Sequence, residues 1–137
     1  AVRIMKMKPV KTLMFAILLL FLNSCNNTFK QGEVLYKNNC ANCHMLNGEG
    51  LQSLIPPLAG IDYLSENRAK IACVISYGLK DTLYLNGKTY TEEMIAIPNL
   101  TEAEITNIIN YINHAWDNDY GYVKIKEVKE ALKACKS

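Results

Sequence analysis

The chemistry of this 137-residue chain is concentrated in one short stretch, Cys40-Ala41-Asn42-Cys43-His44. Two thiols with two residues between them and an imidazole immediately after match the arrangement that holds a porphyrin covalently. Each thiol adds across one vinyl group, and the histidine is carried under the iron, where it binds axially. The motif therefore reads as an attachment site for a single haem c, with Cys40 and Cys43 as the covalent links and His44 as an iron ligand. Other uses of Cys-x-x-Cys require companions. A structural zinc needs about two further Cys or His ligands in a matching group, and Cys73, His114 and Cys135 are dispersed along the chain. A thioredoxin-like pair belongs in a βαβ pattern, which the sequence lacks. A disulfide between Cys40 and Cys43 is the third alternative.

A second axial ligand decides between electron transfer and ligand chemistry. Of the five methionines, Met5, Met7 and Met14 lie in the N-terminal leader, and Met45 adjoins His44 on the wrong side of the ring. Met94 remains, in a loop ahead of Thr101, where a side chain can cross the opposite haem face; its alternative use is packing. An iron with both axial positions filled carries single electrons, and a thioether raises its potential relative to two histidines. The expectation is an electron-transfer protein, alone or as a subunit of an oxidoreductase complex, rather than an enzyme. The rival reading is a haem peroxidase or gas-binding sensor with an open sixth position. It needs a distal acid or base, for which His114, expected as an exposed helix residue, is the single histidine candidate.

Residues 1–24 join a basic start (Arg3, Lys6, Lys8, Lys11) to the apolar run Leu13 to Leu22, the build of a cleaved export signal. The run is short of the roughly 20 apolar residues of a membrane span. Leu22-Asn23-Ser24-Cys25 resembles the bacterial lipobox, which implies a lipidated Cys25 as the mature N-terminus, residues 25–30 as a tether, and residues 31–137 as the domain. The expected location is the periplasmic side of a bacterial membrane, held by acyl chains worth about 0.8 kcal/mol per buried methylene. Removing the leader lowers Lys plus Arg from 15 to 11 while all 13 Asp and Glu stay, so the balance moves from +2 to −2. Nucleic-acid binding, which needs a clustered basic face, is not expected.

The elements that must position this chemistry are mostly helical. Gly32 to Asn39 reads as a helix leading into the motif. Residues 46–60, with three glycines and Pro56-Pro57, must be loop. Ser65 is a candidate N-cap for a helix from Glu66 to Tyr77 that Gly78 stops. Residues 79–100 read as loop with a short hairpin at Asn86-Gly87. Thr101 and Glu104 spell a capping box, and Ile105, Ile108, Ile109 and Ile112 continue a helix to about Trp116. A last helix is expected from Val123 to Lys136, with Val128, Ala131, Leu132 and Cys135 as its apolar stripe. The fold class is all-α: four to five short helices, with long loops that wrap a large apolar cofactor.

From Gly32 to at least Trp116 the chain resembles class I cytochromes c. Gly32 and Tyr36 match the family's N-terminal helix, and Ile108 and Tyr111 match the C-terminal helix positions that pack on them. Pro56-Pro57-Leu58-Ala59-Gly60 resembles the family's Pro-x-Leu-x-Gly segment. By that resemblance the Pro56 carbonyl accepts the His44 Nδ1 proton, orienting the ring and strengthening it as a ligand. Met94 precedes Tyr111 by the family's interval for the methionine ligand, although Ile95 and Ala96 follow it where proline is common, and Pro98 comes later. Leu58, Ile71, Ile75 and Ile97 are the apolar side chains expected around the haem. Leu85 to Tyr90, Trp116-Asp117-Asn118 and Val123 to Val128 are similar to the small cytochrome c domains that accompany periplasmic dehydrogenases and copper nitrite reductases. That similarity implies redox proteins as donor and acceptor: a dehydrogenase, reductase or terminal oxidase. Cys73 and Cys135 are left over, and an even remainder in an oxidising compartment suggests a disulfide; two buried thiols are the equal alternative.

Overall fold

The computed structural model describes residues 28–135, so the expected leader and the expected lipidation site Cys25 lie outside the described residues. Six helices appear there: α1 (Lys30–Asn39), α2 (Ala41–His44), α3 (Tyr63–Glu66), α4 (Arg68–Tyr77), α5 (Glu102–His114) and α6 (Ile125–Cys135). The count exceeds the expected four to five because α2 and α3 are single turns of four residues each. Strands β1 (Leu83–Leu85) and β2 (Lys88–Tyr90) pair antiparallel, with Leu83 opposite Tyr90. The turn between them has positive φ at both Asn86 and Gly87, the backbone that asparagine and glycine accept most easily in a tight hairpin.

Helices α1 and α5 cross at the centre of the fold. Gly32 makes the crossing possible: a Cβ placed there would stand 2.1 Å from the Asn107 carbonyl oxygen and 2.8 Å from the Tyr111 Cβ. One turn on, fully buried Tyr36 fills the crossing, its ring 5.3 Å from that of Tyr111 and 5.1 Å from that of Trp116. The start of α5 is a complete capping box. The Thr101 hydroxyl accepts from the Glu104 N–H, and the Glu104 carboxylate accepts from the Thr101 N–H. Ile105, Ile108, Ile109 and Ile112 are all buried along one face.

Three helix starts differ from the sequence expectation, the first because α1 begins at Lys30, two residues before Gly32. Ser65 does not cap a helix; it sits inside α3, and its hydroxyl donates to the Asp62 carbonyl. The chain then breaks at Asn67, whose side chain donates back to the Tyr63 carbonyl, and restarts as α4 at Arg68. Short polar side chains that bond to nearby backbone compete with helix continuation. The last helix begins at Ile125 rather than Val123, because Val123 is held outside it by both polar atoms of the Asn110 side chain. Gly78 ends α4, as expected. A disulfide joins Cys73 in α4 to Cys135 in α6.

Candidate functional site

The motif residues are presented by a deliberate break in the chain. The Cys40 N–H still bonds to the Tyr36 carbonyl at the end of α1, but its φ and ψ of −120° and −35° bend the backbone into α2. In that single turn the N–H groups of Cys43 and His44 both reach the Cys40 carbonyl, at 3.1 and 2.9 Å. Met45, at φ 62°, ends the turn, and its carbonyl accepts from the Tyr36 hydroxyl at 2.7 Å. The side chain that fills the α1–α5 crossing thus also fixes the exit from the motif.

Both motif cysteines are free thiols, Cys40 buried and Cys43 exposed. Burial first, and the neighbouring Cys43 second, push the Cys40 thiol up to about 11, so it is protonated at neutral pH. His44 is buried, and its Nδ1 lies 3.1 Å from the Pro56 carbonyl oxygen. A carbonyl can only accept, so Nδ1 carries the proton and Nε2 presents a lone pair. Burial lowers the His44 pKa, and the bond to Pro56 opposes that shift without reversing it. The product is a neutral, oriented imidazole whose Nε2 carries the lone pair.

The loop that carries Pro56 is anchored from residues that motif reading passes over. The N–H groups of Leu58 and Ala59 both bond to the Gly48 carbonyl. Buried Asn118 donates to the carbonyls of Leu58 and Ile112 and accepts from the Gly60 N–H. The Trp116 indole N–H donates to the Leu46 carbonyl at 3.1 Å. Asn118 entered the sequence reading only inside a short resemblance. The available signal was polar: Asn110 and Asn113 interrupt the isoleucine face of α5, and each bonds to the returning chain, at Val123 and Gly121.

Met94 is half-buried and is sewn by its backbone to Leu79, just beyond α4, with N–H to carbonyl bonds of 2.9 Å in each direction. Ile71 and Ile75 belong to a buried apolar cluster that also includes Tyr36 and Cys40, and the partly buried Leu58 and Ile97 pack against it. His114 departs from its expected exposure. It is half-buried, its ring stacks on Phe29 at 4.5 Å, and its Nδ1 bonds to the Asn110 carbonyl. Among the described residues no three His, Cys, Asp or Glu side chains gather into a metal cluster. Two thiols and one neutral imidazole from a single turn, beside an apolar cluster that includes Cys40, suit an iron porphyrin.

Comparison with known proteins agrees with this chemistry. A family model described as Cytochrome c matches residues 29–116. Cytochrome c-552 of Thermus thermophilus is 35% identical over 83 residues, which cover 56% of this chain and 62% of that protein. The cytochrome c subunit of the quinone alcohol dehydrogenase of Gluconobacter oxydans is 28% identical over 93 residues, covering 64% of this chain and 19% of the subunit. The corresponding subunit of Komagataeibacter europaeus is 29% identical over 102 residues, covering 71% and 21%. The chain therefore spans about three-fifths of the length of the first relative and about a fifth of the dehydrogenase subunits.

Proposed function

The chain belongs to the cytochrome c family, and from that premise we propose that it is a single-electron carrier whose iron is held by His44 and Met94. Covalent haem c, when bound, supplies a reversible one-electron iron couple. Cys40 and Cys43 would provide the two thioether links, and His44 Nε2 one axial bond. The observation that carries the reading is the His44 Nδ1 contact with the Pro56 carbonyl, which fixes the tautomer and leaves Nε2 for iron. Met94 Sδ is the proposed opposite ligand, a soft donor that favours the ferrous state. The buried side chains of Ile71 and Ile75, with Leu58 and Ile97 packed on the same cluster, exclude water and act in the same direction.

The reading extends to place and partners. Cys25 is proposed as a lipidated N-terminus that holds the domain on the periplasmic side of a bacterial membrane; lipid labelling that survives Cys25→Ala would refute it. The proposed partners are redox proteins, with a quinone-dependent dehydrogenase as one candidate because two of the relatives are subunits of such enzymes.

The decisive experiment is spectroscopic. Haem-loaded protein should show the far-red charge-transfer band of thioether-bound ferric iron and bind carbon monoxide slowly once reduced. Met94→Ala should lose the band, lower the potential and bind carbon monoxide fast. Fast binding by the unaltered protein at full haem occupancy would favour the peroxidase or gas-sensor reading instead.

A further inference from the structure

Ile95 and Ala96 directly follow Met94, and proline comes only at Pro98, so the backbone next to Met94 must be held by other contacts. The segment is stitched to the end of α4 at two levels. Met94 and Leu79 exchange both backbone hydrogen bonds, and the Ile97 N–H bonds to the Ile75 carbonyl at 3.0 Å. Between those stitches sits Gly78, with φ 78° and ψ −177°, a conformation open essentially to glycine alone. A Cβ on Gly78 would stand 2.4 Å from the Met94 carbonyl oxygen and 3.0 Å from the Ala96 nitrogen. All these neighbours are backbone, so the approach cannot be relieved by a rotamer change.

Helix α4 is in turn tied to the C-terminal segment at separated points. The Arg68 guanidinium donates to the carbonyls of Tyr120 and Tyr122, at 2.9 and 3.0 Å. Cys73 is bonded to Cys135. Gly78 follows the last residue of that same helix, so the ties at Arg68 and Cys73 set where the Met94 stitches stand.

We propose that Gly78 and the Leu79 bridge are positioning residues for Met94, and that the disulfide-tied C-terminal segment braces α4 to keep them in place. The inference rests on the reading of Met94 as an iron ligand. It assigns the restraint of the backbone next to Met94 to a close contact at Gly78 and a two-bond bridge, with α6 as their support.

The test compares Gly78→Ala with Gly87→Ala in haem-loaded protein. Gly87 also has positive φ, but a Cβ there meets nothing within 4 Å, so that variant strains the backbone without touching Met94. Gly78→Ala should weaken the far-red band and speed carbon monoxide binding about tenfold, the equivalent of about 1.4 kcal/mol, while Gly87→Ala leaves both unchanged. The double variant Cys73→Ser, Cys135→Ser should retain the band and speed binding about threefold, equivalent to about 0.6 kcal/mol. It decides the matter if Gly78→Ala yields no loaded protein. Unchanged binding in every variant that loads, or an equal rise in Gly87→Ala, overturns the inference. The ligand reading fails separately, if Met94→Ala removes no far-red band or if the unaltered protein binds carbon monoxide fast at full haem occupancy.

Discussion

Asn118 shows how one polar side chain governs a reactive one it never touches. Its amide satisfies the carbonyls of Leu58 and Ile112 and the N–H of Gly60, and so holds the loop whose Pro56 carbonyl faces His44. Asn118→Leu keeps the approximate volume and removes all three bonds. Each backbone group left without a partner costs about 1 kcal/mol or more, so stability should fall by about 3 kcal/mol, read as a lower denaturant midpoint of the loaded protein. A midpoint unmoved in the leucine variant would mean the loop is held elsewhere. The attachment motif was legible because its chemistry is contiguous, five residues in a row. Asn118 was not legible in the same way, because two of its partners lie 58 and 60 positions away, and only the fold reveals such a bond.

Propensity and packing make opposite predictions at the α1–α5 crossing. On helix propensity alone, Gly32→Ala should stabilise α1 by about 1 kcal/mol. Packing reverses the sign, since the added Cβ would stand 2.1 Å from a backbone oxygen of α5, and helix backbone does not yield as a side chain does. Forcing the crossing open should cost about 3 kcal/mol, at the upper end for overpacking, seen as a lower thermal midpoint. A more stable variant would show that the helices separate easily. The same contrast explains which elements could be read in advance. The capping box and isoleucine period of α5 are local signals, and the helix stands where they point. The hairpin followed from Asn86-Gly87 alone. The start of α4 did not, because the break at Asn67 depends on a side chain bonding back to Tyr63, a choice that competes with the helix and leaves no periodic trace. The late start of α6 is likewise imposed by Asn110 from another element.

At the scale of the whole molecule, the matched family region ends at residue 116, and the chain beyond it returns over α4 and α5. Val128 is buried there, Arg68 bonds to the backbone of Tyr120 and Tyr122, and the disulfide bridges positions 62 residues apart. The sequence left those two cysteines undecided between a bond and two thiols, because both sit on apolar faces and spacing does not report distance. A cross-link of that span acts mainly on the unfolded chain. In the loop-entropy account it removes about 4 kcal/mol of unfolded-state freedom, whereas the proposed haem attachment at Cys40 and Cys43 would close only a short local loop. Cys73→Ser, Cys135→Ser should therefore lose up to about 4 kcal/mol of stability, with a steeper denaturant dependence because the released chain exposes more surface. Reducing the unaltered protein with a dithiol should reproduce both changes, and the reduced form should then match the double variant. A midpoint indifferent to the reductant would mean that the two sulfurs are not linked in solution, and α6 would then be held by the packing of Val128, Ala131 and Leu132 on the core.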